Sequence, residues 1–452
     1  MVVIKIDSHI RIDARQISKK VRNKLVRDST HQDPVYAKNK RAGWGVGDLE
    51  PRMYTFEEHG NELRFWRGRL EGILQTLRAY KVDFEIDDHR LWLDDIALDC
   101  SVQLRDYQQE PHDIACRKQQ TLVRAPAGSG KTEVMLKTAA HFQQPTLVLV
   151  WQERQQRNWL ERIPKRFDFE PGGIGGAFKK EKIAPITVGM VQSVRNRMEM
   201  CGELFGTVIC DEVQRFAART LAEVVNNLPA AVRLGASDDE RRSDGREFLL
   251  YDTFGPVGAT VEGTTGQCPV RIVALPTQFE SEFSSWVEAV DELICDEARN
   301  QMILDLAIAE AKAGHRILIW SDRVDHCLYL CGQLEKAGFS VGLILGGNEW
   351  KDEADHTEKG LRSGAVQIGI GTGIAEQSID IPPLDRGIMT CASADTKMFR
   401  FRQMRGRLAR PFEGKDSVLY YLWDRQVPQL RRKINNIRRE YEVQIGDRDV
   451  QT

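Results

Sequence analysis

Two short stretches combine residue types and spacings suited to phosphate chemistry. The first, "TLVRAPAGSGKTEVML" at 121–136, runs from a strand-like segment through Ala127, Gly128, Ser129 and Gly130 into Lys131 and Thr132, which open a helical pattern. Such a small-residue loop aims successive backbone N–H groups into one concavity, and the helix N-terminus adds the positive end of its dipole. Lys131 would reach β- and γ-phosphates, and the Thr132 hydroxyl would ligate Mg²⁺. The strand before and the helix after stand where this chemistry needs them, so the chain is expected to bind a nucleoside triphosphate with Mg²⁺. The second stretch, "TVICDEVQRF" at 207–216, sets Asp211 and Glu212 directly after an apolar strand. In a phosphate-loop sheet that strand delivers an acidic residue to the metal. Asp211 would hold Mg²⁺, and Glu212 would orient and deprotonate an attacking water. Acidic pairs are common at strand ends; the two strand signals between this one and the loop give it weight.

Two further stretches fit the same substrate. In "QLRDYQQE" (103–110) the Gln108 amide can both donate to and accept from an adenine edge, which would select ATP. "FRQMRGRLARP" (401–411) has the form Gln403-x-x-Gly406-Arg407-x-x-Arg410. On a helix Arg407 and Arg410 share a face, and guanidinium groups stabilise the charge on a transferring γ-phosphoryl group. The competing reading is a basic helix facing solvent or a phosphodiester backbone.

The elements needed to position these residues follow from the hydrophobic pattern. Residues 1–100 read as a small α+β unit: a strand (2–12), a basic helix (14–27), a hairpin turning at His59-Gly60-Asn61, a helix over "GRLEGILQTLRAY" and an edge strand in "VDFEI". From residue 101 short apolar runs alternate with helical segments: 146–150, 186–190, 207–210 and 232–236. After residue 300 a second series appears at 316–320, 341–345, 366–370, 386–390 and 418–422. Buried runs separated by helices predict parallel sheets with helices on both faces. The expected division is 1–100, 101–272 and 273–452, with the boundary between the two sheet domains near 270–300.

Composition fits this frame. The 452 residues are 41% hydrophobic and 29% charged, ordinary values for a folded protein with sizeable cores. No apolar run approaches the roughly 18 residues of a membrane helix, and charges within "MVVIKIDSHIRIDAR" argue against a secretory signal. The nine cysteines form no CxxC pair. They read as reduced, mostly buried thiols of a cytoplasmic protein rather than metal ligands. The net charge of −2 is unevenly spread. Residues 1–81 carry 17 Lys/Arg against 10 Asp/Glu, and residues 397–439 carry 13 against 3. Two basic zones suit a polyanion laid across part of the surface. Lys19, Lys20, Lys24, Lys38, Lys40 and Arg41 make the N-terminal unit a candidate duplex or junction clamp.

Taken in order over residues 101–430, these motifs resemble those of the superfamily 2 helicases and translocases, and within that superfamily they resemble the phage-type group around UvsW, with XPB-like enzymes more distant. "LRDYQ" resembles the glutamine motif, which adds Arg105 to the adenine site; "APAGSGKT" resembles Walker A and "CDEVQ" a DEAH-like Walker B. "GTGIAEQSIDIPPLDRG" (371–387) is similar to motif V and "QMRGRLAR" to motif VI. The resemblance implies two tandem RecA-like domains with a small N-terminal domain. It also implies a DNA-dependent ATPase that remodels forked or branched DNA, with replication or recombination proteins as candidate partners and the host cytoplasm as its place if phage-encoded. Residue by residue it implies strand contacts from Thr187, Gln192, Ser193, Arg323, Gly346, Gly347 and Thr372, ribose contact from Asp380, and a cleft sensor in Gln214. Phe254 and Trp66 are the candidates for dividing the strands, since aromatics stack on terminal bases.

The chain departs from the family pattern in places. Ser237-Asp238-Asp239 stands where Ser-Ala-Thr is usual, and the added carboxylates would repel a γ-phosphate unless Arg241 or Arg242 pairs with them. Gln377-Ser378 replaces Glu-Gly, and Trp151 replaces a proline. The alternatives are an RNA-directed helicase and a DNA-stimulated clamp whose ATPase is uncoupled from strand separation. A restriction-system motor finds no nuclease constellation in the sequence to support it.

Overall fold

The computed structural model describes residues 1–126, 129–215, 218–239, 241–242, 244–261, 268–283, 285–373, 381–391 and 398–446. The chain divides into two compact units, Met1–Gly263 and Thr264–Thr452.

The first unit opens with a five-stranded sheet in the order Phe56–His59, Glu62–Trp66, His9–Asp13, Val2–Ile6, Phe84–Asp88. Its pairs are antiparallel except the last, where the edge strand runs parallel to Val2–Ile6. The single strand expected over 2–12 is in fact a hairpin. Ile4, Ile6, Ile10 and Ile12 all fall at even positions, so the period-two pattern crosses the turn unbroken and hides it. Asp7 makes the reversal by accepting the His9 amide at 2.8 Å, a local side-chain-to-backbone bond that competes with an extended chain. The helix expected from residue 14 begins at Lys19, where the Ser18 hydroxyl accepts the Val21 amide at 3.3 Å. Gly60 supplies the positive φ of +62° that the 59–61 hairpin requires. Helices Lys19–Asp28 and Leu70–Ala79 cover one face, burying Val21, Leu25, Ile73 and Leu77 against the isoleucines. Each such side chain contributes about 1.5–3 kcal/mol.

The second sheet of this unit has seven strands, all parallel, in the order Gly172–Ile174, Ile186–Met190, Thr146–Val150, Thr207–Asp211, Val232–Ser237, Gln120–Arg124, Val257–Thr260. The four runs expected from the sequence are inner strands, and the fifth inner strand, Gln120–Arg124, is the one that leads into the small-residue loop. The two edges, Gly172–Ile174 and Val257–Thr260, are short and glycine-bearing and gave no apolar run.

The N-terminal sheet is fastened to this one by buried polar bonds. Arg67 donates to the Ala230 and Ala231 carbonyls at 2.7 and 2.9 Å and to the Gln120 amide oxygen at 2.9 Å. Arg233 donates to the Ser8 and Leu228 carbonyls at 2.8 and 2.6 Å. Asp252 accepts from the Thr55 hydroxyl at 2.6 Å and lies 2.7 Å from His31 Nε2, while Arg246 pairs with Asp33 at 2.6 Å. These bonds meet most of the N–H groups of two fully buried guanidinium groups, whose burial would otherwise be costly, and the small module forms one compact unit with the sheet domain.

The second unit is built on seven parallel strands in the order Val341–Ile344, Ile368–Gly371, Ile317–Trp320, Arg386–Met389, Ser417–Trp423, Val270–Pro276, Gln444–Ile445. All five expected runs are strands. Val270–Pro276 pairs with Ser417–Trp423, so this sheet includes residues on both sides of the 272/273 division drawn from the sequence. Arg299 and Asp424, both fully buried, form an ion pair at 2.9 Å that the Thr277 hydroxyl completes at 2.7 Å. Among the described residues no helix is long and apolar enough to cross a membrane.

Candidate nucleotide and nucleic-acid sites

Strand Gln120–Arg124 leads through Ala125 and Pro126 toward Gly130, which caps helix Lys131–Phe142 with φ +81°. Glycine is required there twice over. The backbone is left-handed, and a Cβ would stand 2.2 Å from Gln108 Nε2. Gln108 is buried and donates to the Ser129 carbonyl at 2.7 Å, while its Oε1 accepts the Arg105 amide at 2.9 Å. Its side-chain amide therefore holds the loop as well as capping helix Asp106–Lys118. Arg105 itself is exposed and donates to the Tyr107 hydroxyl at 3.1 Å.

Lys131 begins the helix with its ammonium between two carboxylates: 3.0 Å from Asp211 Oδ1, and in direct contact with Glu212. Burial alone would lower the lysine pKa, but Asp211, Glu212 and Asp238 outweigh it and hold the group well above its ordinary range. Asp211 ends strand Thr207–Asp211, in the sheet one strand removed from the loop's own strand. Its Oδ2 accepts the Trp159 indole N–H at 2.9 Å, which leaves Oδ1 facing the lysine. A hard oxygen held this way, facing the lysine that Thr132 follows on the first helical turn, fits Mg²⁺ ligation. Glu212 has φ +55°, left-handed backbone for a residue with a side chain. That conformation costs on the order of 1 kcal/mol and clusters at functional sites.

Gln214 links the two halves of this constellation. Its Nε2 donates to Glu212 Oε2 at 2.6 Å and to Asp238 Oδ1 at 2.8 Å, and its Oε1 lies 2.6 Å from the Ser237 hydroxyl. The departing Ser-Asp-Asp segment is thus wired into the acidic pair. Arg241 pairs with Asp239 at 2.6 Å, as expected for one of the two arginines. Arg242 instead pairs with Asp244 at 2.9 Å and donates to the Gln214 carbonyl at 2.8 Å. Sequence reasoning missed Trp159, whose role emerges only from packing, and the contact between Asp238 and Gln214.

The remaining candidates meet different fates. Thr187 is fully buried, with its hydroxyl 3.0 Å from the Ala184 carbonyl, so it presents no surface to a strand. A threonine within a buried parallel strand reads the same in sequence as one at its end. Gln192 is exposed and Ser193 half-buried, on the short helix that follows that strand. In the second unit Arg323, Gly346-Gly347 and Thr372 follow the carboxyl ends of three neighbouring strands, the edge where open α/β sheets bind ligands. Arg323 pairs with Asp291 at 2.9 Å. Arg407 lies on helix Phe399–Leu408, but that helix is capped at Ala409, so Arg410 stands in the following turn and the expected common helical face does not extend to it. Phe254 is fully buried in the sheet core and cannot divide strands. Trp66 is half-buried at the end of its strand. Lys19 and Lys20 are exposed, whereas Lys24 pairs with Asp28 on its own helix. Ala127, Gly128, Gln377, Ser378 and Asp380 lie outside the described residues.

Comparison with known proteins supplies independent findings. The model of the type III restriction enzyme res subunit matches residues 101–237, and that of the helicase conserved C-terminal domain matches residues 298–411. The chain is 26% identical over 349 residues to "Probable helicase D10" of Escherichia phage T5, covering 76% of each protein. It is 22% identical over 390 residues to "DNA 3'-5' translocase XPB2" of Sulfurisphaera tokodaii, covering 76% of this chain and 88% of the relative. Among solved structures, Saccharomyces cerevisiae Dbp5 bound to RNA and ADP BeF3 superposes with a TM-score of 0.56 at 15% identity, covering 76% and 90% of the two chains.

Proposed function

We propose that this chain, whose matched helicase domains and helicase relatives support an ATP-hydrolysing superfamily 2 helicase, unwinds or branch-migrates forked and branched DNA. One observation carries the catalytic half of the reading: Lys131, Asp211, Glu212 and Gln214 converge beside a glycine-capped helix N-terminus. In this reading Lys131 exchanges its carboxylate partners for β- and γ-phosphate oxygens. Asp211 and Thr132 would hold Mg²⁺, which when bound would supply positive charge to offset the developing negative charge. Glu212 takes the proton of the attacking water, oriented by Gln214. Arg105 and Gln108 serve the adenine, with Ala127, Gly128, Ser129 and Gly130 cradling phosphate and Asp380 at the ribose. Arg407 and Arg410 act on the transferring phosphoryl group.

Gln192, Ser193, Arg323, Gly346, Gly347 and Thr372 are assigned to the phosphodiester backbone, which carries no base information and makes movement sequence-independent. Residues 1–100 are assigned an accessory DNA-binding role ahead of motor segments 101–272 and 273–452, acting in the cytoplasm with replication or recombination proteins. A base-pair step costs about 1.4 kcal/mol to unstack, small beside the cycle of a motor. The name of the XPB2 relative supports DNA over RNA and 3′-to-5′ movement. ATP-dependent strand separation should appear on forks and Holliday junctions bearing a 3′ single-stranded arm. Hydrolysis stimulated by DNA without displacement would establish the clamp alternative, and displacement confined to RNA substrates the RNA-directed one.

The Ser-Asp-Asp departure gives a separate expectation. Asp238 adds a third carboxylate around one lysine, close to where a γ-phosphate would sit. Asp238→Asn keeps the acceptor for Gln214 and removes one negative charge, a change of about 1 kcal/mol for a partly screened pair. Steady-state ATPase assays should show KM for ATP falling by about fivefold; an unchanged or higher KM would show that the charge is already neutralised by its surroundings.

A further inference from the structure

His112 and Cys116 lie one turn apart on helix Asp106–Lys118, and His141 lies near the end of the neighbouring helix Lys131–Phe142. One ligand atom from each falls within 4.8 Å of the other two. Cys116 Sγ lies 3.6 and 3.7 Å from Nδ1 and Nε2 of His112, and the two imidazole rings meet edge to face at 6.0 Å between centroids. The hydrogen bonds fix which nitrogen of His112 is available. The Thr138 hydroxyl spends its only proton on the Val134 carbonyl at 2.8 Å, so at 3.0 Å from His112 Nδ1 it can only accept. Nδ1 therefore carries the ring proton, and Nε2 keeps its lone pair. This is the arrangement by which a second partner orients a metal-binding histidine.

We propose that His112 Nε2, Cys116 Sγ and His141 form a binding site for a zinc-class divalent cation. One thiolate and two imidazoles are the donor set that suits zinc, and three protein ligands leave one position for water. Bonds of about 2.0–2.3 Å place tetrahedral ligands roughly 3.3–3.7 Å apart, so the Cys116–His112 Nε2 distance is in range, and a turn of the Cys116 side chain brings the sulfur from between the two ring nitrogens toward the Nε2 lone pair. The exposed His141 has only a small movement to make. On binding, the metal–sulfur bond replaces the S–H bond of Cys116 and the proton passes to solvent. The cysteines showed no metal-ligand spacing in the sequence because the ligands come from two helices.

The site also has a consequence. One of the tied helices carries Gln108, which holds the Ser129 carbonyl, and the other begins at Lys131. An ion bridging them would clamp the nucleotide loop from behind.

The test is a titration of the chelator-stripped full chain with Co²⁺, then with Zn²⁺ in competition. The expected result is one equivalent of Co²⁺ with thiolate-to-cobalt charge-transfer absorption, displaced by Zn²⁺, together with a rise in unfolding temperature. Cys116→Ser should lose the charge-transfer band, and His141→Ala should weaken binding about tenfold. Cys295→Ser, which removes an exposed thiol elsewhere, should change neither. Absence of the band, its persistence in Cys116→Ser, or its loss in Cys295→Ser would overturn the assignment. Circular dichroism of the metal-free variants separates loss of the site from loss of the fold.

Discussion

Lys131→Ala is expected to abolish ATP hydrolysis while leaving nucleic-acid binding in place. The ammonium lies between Asp211 and Glu212, and Asp238 adds to the same field. Losing a charged group aimed at developing phosphoryl charge costs a factor of about 10²–10³ or more. The same substitution carries a second, separable cost. Its side chain is only 14% exposed, and removing one partner of a buried ion pair leaves uncompensated charge worth about 3–5 kcal/mol. The lysine pKa is raised in the folded state, so this stability is fully present at pH 7 and would be lost only as pH climbs beyond the lysine range. The variant should therefore unfold at lower temperature without nucleotide, and added Mg²⁺ should restore part of the difference. Robust turnover by Lys131→Ala would defeat the active-site assignment; loss of turnover without any loss of stability would mean the carboxylates release their charge by protonation instead.

Glu212→Gln should separate binding from chemistry. Glutamine preserves an oxygen acceptor for the Gln214 amide, bonded at 2.6 Å in the native site, and keeps the side-chain volume. It removes the base. A positioned general base contributes about 10²–10⁴-fold, so kcat should fall by that factor while a fluorescent ATP analogue still binds with near-native affinity. Because ATP would bind without turning over, the variant should stay longer on DNA in its presence. Equal loss of nucleotide binding and turnover would assign Glu212 to holding Lys131 rather than to the water. The left-handed backbone at this residue makes the second outcome physically meaningful, since the conformation directs the carboxylate to the lysine and to Gln214 together.

Much of this was readable before any coordinates. The loop from Ala127 to Thr132, the acidic pair at the end of the Thr207–Asp211 strand and the nine apolar runs are local signals. Each depends on a few adjacent residues and on backbone periodicity, and local chain chemistry determines them. The pattern misled where a signal was locally ambiguous. Even-numbered isoleucines continue across the Asp7-Ser8 turn, and Thr187 looks the same whether buried or at a surface. Phe254 shows no local sign that it belongs to a core. Such outcomes depend on which face a neighbouring element covers, and burial is a property of the assembled chain.

By itself, then, the sequence determined the glycine-capped lysine helix, the acidic pair at a strand end and two parallel sheets. Only the tertiary structure decided the wiring. It set Trp159 against Asp211 and Asp238 against Gln214. It also fastened the N-terminal module through Arg67 and Arg233 to carbonyls distant in sequence, and brought His112, Cys116 and His141 together from two helices. The physical reason is range. Hydrogen bonds and ion pairs between distant residues are chosen by what packing leaves unsatisfied, and the linear order of residues does not carry that information.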